Sequence, residues 1–132
     1  MMLGLVDVKD WIKTIFEADH YYMGKLDNKK DKSIGIYQRK NPMPPRVCLG
    51  GINLASYEVK QVSILIHWSN DANDTEQASY ELFEALLGCQ RVTINNIDVP
   101  FINLVTNEPV DVGTDDKGIY ERVIEMDIYY KK

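Results

Sequence analysis

Two stretches of this chain, 58–70 ("EVKQVSILIHWSN") and 118–132 ("GIYERVIEMDIYYKK"), carry apolar side chains on every second position. A period of two is the spacing of a β-strand with one face in a core and the other outside it. In the first stretch Val62, Ile64, Ile66 and Trp68 share one face, and Gln61, Ser63, Leu65 and His67 share the other. In the second, Ile124, Met126, Ile128 and Tyr130 form the core face, while Glu121, Glu125 and Asp127 stand in a row on the opposite one. Strands this long need neighbours for their backbone groups and a cover for one face only, so the chain must build a sheet that is packed on one side.

The cover is legible elsewhere in the chain. Val8, Trp11, Ile12, Ile15 and Phe16 fall on one helical stripe, with Asp7 as the expected N-cap. A second helix is expected over "DANDTEQASYELFEALLG", with Asp74 and Gln77 as a capping box, a stripe of Ala78, Leu82, Phe83, Leu86 and Leu87, and Gly88 as the stop. "YYMGKL" and "SIGIYQR", separated by the polar "DNKKDK", carry a hairpin signature. "RVTINNIDVPFINLV" reads as two short strands around Asn95-Asn96, and "TNEPVDVGTDDKG" as a loop leading into the last strand.

The stretch 41–57 is different. It holds Pro42, Pro44 and Pro45, three of the five prolines, together with Gly50-Gly51, and so reads as an extended arm or binding loop, an ordinary loop being the alternative. The order of elements predicts an α+β fold: a single domain over residues 1–132, with a mostly antiparallel sheet and two helices packed on one face. At 132 residues and 15.2 kDa the chain suits one core.

Composition narrows the function. Twenty acidic against fifteen basic residues give a net charge of -5, which disfavours tight binding to a phosphate backbone, and the eight tyrosines are not interleaved with Lys or Arg. The first residues do not read as a signal peptide and no apolar run reaches membrane-spanning length, so a protein made and kept in the cytoplasm is expected. Cys48 and Cys89 lack partners at metal-ligand spacing and read as reduced thiols.

No catalytic, cofactor-binding or metal-binding constellation emerges. His20 and His67 have no third partner at a recognisable spacing, and His67 reads as a partly exposed or hydrogen-bonded strand residue rather than as a base or ligand. "LGGINLAS" lacks the spacing and the ending of a phosphate loop. "DVGTDDKG" lacks the alternating oxygens and distal Glu of a calcium loop. The row Glu121, Glu125, Asp127 reads as facing solvent, a lumen or a neighbouring subunit, so that replacing all three with Lys is expected to leave the fold intact.

The order of elements, the strand-then-helix "VSILIHWSNDANDTEQASYELFEALLG", the hairpin after it and above all "EPVDVGTDDKGIYERVIEMDIYY" resemble the minor capsid and tail-terminator proteins of long-tailed bacteriophages and their prophage relatives. The resemblance covers most of the chain from about Val8 onward. It implies a tail-terminator-like subunit that assembles as a ring, typically a hexamer, at the head-proximal end of the tail tube. The implied partners are other copies of the chain, the tail tube protein and a head-completion protein; DNA would pass through the ring without specific binding. The location implied is the virion, assembled in the cytoplasm of the bacterial host. No catalytic residue is carried over. The resemblance gives Pro42, Pro44, Pro45, Tyr57, Asp115, Asp116, Glu121, Glu125 and Asp127 an expected role in subunit contacts or in lining the lumen, and deletion of residues 42–51 is expected to yield a folded monomer. The alternatives are a head-completion stopper and a monomeric ligand-binding or adaptor domain that uses the arm as a lid.

Overall fold

The computed structural model describes residues 2–24, 31–39, 57–89 and 91–131. Its centre is the antiparallel pair of β3 (Tyr57–His67) and β8 (Tyr120–Lys131), in register from Tyr57 opposite Lys131 to His67 opposite Glu121. Val62, Ile64 and Ile66 of β3 and Ile124, Met126 and Ile128 of β8 are fully buried on the same face, as their alternation predicts. Ile64 and Ile124 lie directly opposite each other. Burying each such side chain contributes about 1.5–3 kcal/mol.

Around this pair the sheet runs β1 (His20–Met23), β2 (Ser33–Gln38), β3, β8, β6 (Phe101–Leu104), and β7 (Val110–Thr114) joins the first half of β8. The helices α1 (Leu5–Ile15) and α2 (Ala72–Leu87), with the small hairpin of β4 (Val92–Ile94) and β5 (Ile97–Val99), share one apolar core with that buried face. The α+β class, the mostly antiparallel sheet and the two helices are as expected.

Local differences have physical causes. Gly4, rather than Asp7, is the N-cap of α1; Asp7 sits one turn in and its carboxylate accepts the Gly4 N–H at 2.9 Å. In α2 the cap is Asp71, whose Oδ1 accepts the amides of Asn73 at 3.0 Å and Asp74 at 3.4 Å. Of its expected stripe, Leu87 lies beyond the core and is 58% exposed. Gly88 does end α2, with an ordinary right-handed backbone (φ −73°). Asn95 and Asn96 turn between β4 and β5 at φ 49° and 63°, as their pairing predicts.

The expected hairpin of β1 and β2 is corrected: the two strands are parallel, with His20 opposite Ser33 and Met23 opposite Ile36. Nine residues, Gly24 to Lys32, connect them. A four-residue strand spans only about 13 Å, so a connection of that length can return to the starting end. The segment read as "RVTINNIDVPFINLV" contains three strands, because Pro100 separates β5 from β6 and lets β6 join the large sheet. Within "TNEPVDVGTDDKG", expected as a loop, lies the strand β7, exposed along its length, whose pairing with β8 shifts register between Asp111 and Gly113, where Gly113 takes φ 93°.

Tyr130 ends the buried face and donates its hydroxyl to Glu58 at 2.8 Å. Burial, then the Glu58 bond, push its pKa up to about 12 from the ordinary 10.0. A raised pKa supplies stability that is complete below pH 10 and is lost as pH rises towards 12. Urea unfolding of the wild type should therefore weaken by about 1 kcal/mol more than that of Tyr130→Phe between pH 8 and 11. Equal losses in the two chains would show that the hydroxyl titrates alike folded and unfolded.

Candidate functional site

No described helix or hairpin packs on the second face of the sheet, the side away from α1 and α2. Alternation and register decide what stands there: Ser33, Gly35 and Tyr37 from β2; Gln61, Ser63, Leu65 and His67 from β3; Glu121, Val123, Glu125, Asp127 and Tyr129 from β8; Phe101 and Asn103 from β6. Three groups of side chains divide this face along the strands.

At one end, Tyr57, Tyr129 and Phe101 form an aromatic corner. Their ring centroids are 5.7 Å apart for Tyr57 and Tyr129 and 5.5 Å for Phe101 and Tyr129. Tyr57 and Phe101 are exposed. Aromatic side chains in such a tilted cluster offer apolar area at little entropic cost to a partner.

In the middle, Arg39 follows β2 and its backbone N–H bonds the carbonyl of Gln61, the residue opposite Asp127. Its guanidinium donates to Asp127 Oδ1 at 2.7 Å, with side chains 10% and 6% exposed. The row expected to face solvent, a lumen or a neighbour is corrected at Asp127, which packs inside the subunit. Asp127 is buried and paired, Glu121 is engaged with His67, and Glu125 is half-buried. A Lys at 127 would bury a cation against Arg39, so the triple Lys variant should not fold normally.

At the far end, His67 is fully buried, with a carboxylate facing each ring nitrogen. Its Nδ1 lies 2.9 Å from Glu121 Oε2, and its Nε2 lies 3.6 Å from Asp115 Oδ2; neither Nε2 nor Oδ2 has a hydrogen-bond partner. The other oxygen of Asp115 accepts the amides of Lys117 and Ile119, both at 2.9 Å, closing the β7–β8 turn that Gly118 completes at φ 81°. Burial pushes the Asp115 carboxyl up, but the Ile119 and Lys117 amides and His67 together hold it below the ordinary carboxylate value.

The turn thus accounts for the aspartates of "DVGTDDKG". Asp111 Oδ1 accepts the Gly113 amide at 2.8 Å, Asp115 builds the turn, and Asp116 is exposed. His67 and Asp115 leave one nitrogen and one oxygen uncommitted, fewer than the three or four ligands that a metal requires, and no metal-type group of three or more His, Cys, Asp or Glu converges among the described residues.

Of the sequence-derived candidates, the structure brings Asp115 and Glu121 together on His67 and places Glu125 and Asp127 along the same face, while Asp116 stays apart from them. Pro42, Pro44 and Pro45, with the arm up to residue 56, lie outside the described residues. Arg39 and the central role of His67 were missed. The signal for His67 was its place on the polar face of the best strand; for Arg39 there was none, because its partner is 88 positions away.

Beside the aromatic corner, on the helix side, a groove of about 940 Å³ runs between the end of α2 and β6, lined by Phe83, Leu86, Leu87, Cys89, Phe101 and Val105 among others. Cys89 donates its thiol to the Ala85 carbonyl at 3.2 Å, and burial raises its pKa. No described helix is long and apolar enough to cross a membrane.

The site is therefore a surface, and what it serves is narrowed by comparison with known proteins. A search of curated proteins returns no match. The model of the family described as "Bacteriophage tail terminator protein" matches residues 2–132, essentially the whole chain, with both described helices and all eight described strands. The chain belongs to the bacteriophage tail terminator family.

Proposed function

We propose that this protein is a structural subunit of a ring, a hexamer, that ends the tail tube at its head-proximal side and joins it to the head as a minor capsid component. The observation that carries this reading is the family match over residues 2–132. A sheet face on which no described helix or hairpin packs, with an exposed aromatic corner at its end, supports it, because the corner offers a surface to partners, and we assign the chain no reaction. Other copies of the chain, the tail tube protein and a head-completion protein are the partners, in a virion assembled in the host cytoplasm. Six copies at -5 each would carry roughly −30, and a channel wall of that sign would let DNA pass without holding it.

Light scattering on a size-exclusion column over a range of concentrations, with electron microscopy of isolated tail tubes mixed with the protein, tests the reading. A species near six times 15.2 kDa, alone or at tube ends, is expected. A monomer in solution together with bare tube ends would overturn it.

A further inference from the structure

Among the described residues the sheet ends on β1 at one side and, at the other, on β6 with β7 further along β8. On β6, the Val105 amide bonds the Glu125 carbonyl of β8 at 2.9 Å. Backbone groups alternate along a strand, so those of Ile102 and Leu104 point away from β8. On β1, the amides of His20 and Gly24 bond the carbonyls of Lys32 and Ile36, so the backbone groups of Tyr21 and Met23 point away from β2. Among the described residues these outward groups meet no backbone partner. Both strands are four residues long, and each therefore presents two unpaired donors and two unpaired acceptors two residues apart.

We propose that the β1 edge of one copy adds to the β6 edge of the next, so that the sheets of neighbouring subunits run on as one. The inference rests on the ring reading and names the contact that would build the ring. The partner is a second copy because the chain carries both edges at matching length, and the apolar side chains left exposed beside them, Met23 at one and Phe101 and Leu87 at the other, would cover each other. The edges differ, so the contact is head-to-tail, the kind that closes into a ring; β6 on β6 or β1 on β1 would stop at a dimer.

Strand directions fix the pairing. β2 is parallel to β1, while β3, β8 and β6 then alternate, so β6 runs opposite to β1. Copies related by rotation about one axis roughly along the strands keep that sense, and the joint is antiparallel. Ile102 then meets Met23, Leu104 meets Tyr21, and Asn103 stands opposite Tyr22.

Side chains fit on both faces. On the second face Tyr22, whose ring stacks with His20 at 6.2 Å, comes beside Phe101 of the aromatic corner. On the other face Met23, 50% exposed, reaches the groove at Leu87, whose exposed apolar surface is otherwise unexplained.

Met23→Pro removes an outward N–H that the monomer does not use, from an exposed position, and Met23→Ala removes the side chain alone. The proline variant should melt within a few degrees of wild type yet bind its own kind at least about tenfold more weakly, while the alanine variant still assembles. As a second measurement, Asn103→Cys and Tyr22→Cys chains, each with Cys48 and Cys89 replaced by Ser, are mixed on tail tubes and oxidised. Residues 103 and 22 would form a non-hydrogen-bonded pair with Cα atoms about 4.5 Å apart, within disulfide range. A mixed disulfide ladder is expected. Rings without that cross-link, a disulfide between two Asn103→Cys chains instead, or unimpaired assembly of a folded Met23→Pro chain would overturn the edge contact and leave the ring standing. Absence of any wild-type assembly, alone or on tubes, would remove both.

Discussion

Replacing Arg39 with Met is expected to lower folding stability by about 3–5 kcal/mol, a large share of what a domain of this size possesses. The reason is Asp127. Its carboxylate is buried on the second face and takes the Arg39 guanidinium at 2.7 Å. Without that cation a charge remains where water hardly reaches, and no rearrangement of a central strand can bring it out. Urea unfolding at neutral pH should show the midpoint falling with an unchanged slope. In the double variant Arg39→Met, Asp127→Leu, most of the loss should return, because a buried ion pair replaced by apolar groups of similar volume is nearly neutral. If the single variant unfolds at the wild-type midpoint, Asp127 is reaching solvent and the pair is only a surface contact.

His67→Ala should be the next most damaging polar substitution, at about 3 kcal/mol, from the lost volume of a fully buried ring and the two carboxylates it leaves facing each other. Its signature is local. The imidazole ties the β7–β8 turn, through Asp115, to the end of β3, so amide exchange of Lys117 and Ile119 should quicken more than that of the central strands. The acid limb carries a second readout. Asp115 has a lowered pKa, so its contribution is complete above the ordinary carboxylate value and is lost as pH falls through the lowered one. Removing His67 takes away one of the causes of that lowering, and the variant should lose less of its remaining stability on acidification than the wild type does. Unchanged exchange at Lys117 and Ile119 would mean that the two amide bonds of Asp115 hold the turn without help.

Much of this molecule could be read from spacing alone. The two long strands, their buried faces, both helices, the Asn95-Asn96 turn and the α+β class follow from periods of 2 and 3.6 and from turn chemistry, which are local properties. Helix caps were displaced by about a turn: in α2 Asp71 and Asp74 could both cap, and in α1 Asp7 serves the N-terminus from inside the first turn, by accepting the Gly4 amide, rather than from the cap position. The exposed strand β7 escaped notice because it is short, with only Val110 and Val112 alternating, and buries no residue; it exists by pairing with β8. The parallel direction of β1 could not be read, since a turn-rich connection is compatible with a return to either end.

The candidate site divides in the same way. The sequence by itself determined that Glu121, Glu125 and Asp127 would share the side of the sheet away from the core, because alternation along one strand needs no information from elsewhere. Only the tertiary structure decided their environments. A guanidinium from residue 39 reaches Asp127, while an imidazole from residue 67 stands between Glu121 and Asp115. Those partners lie 48 to 88 positions away in the chain, and charge alone carries no signal of which cation will meet which carboxylate. That choice belongs to the strand register, which the packing of the opposite, apolar face sets.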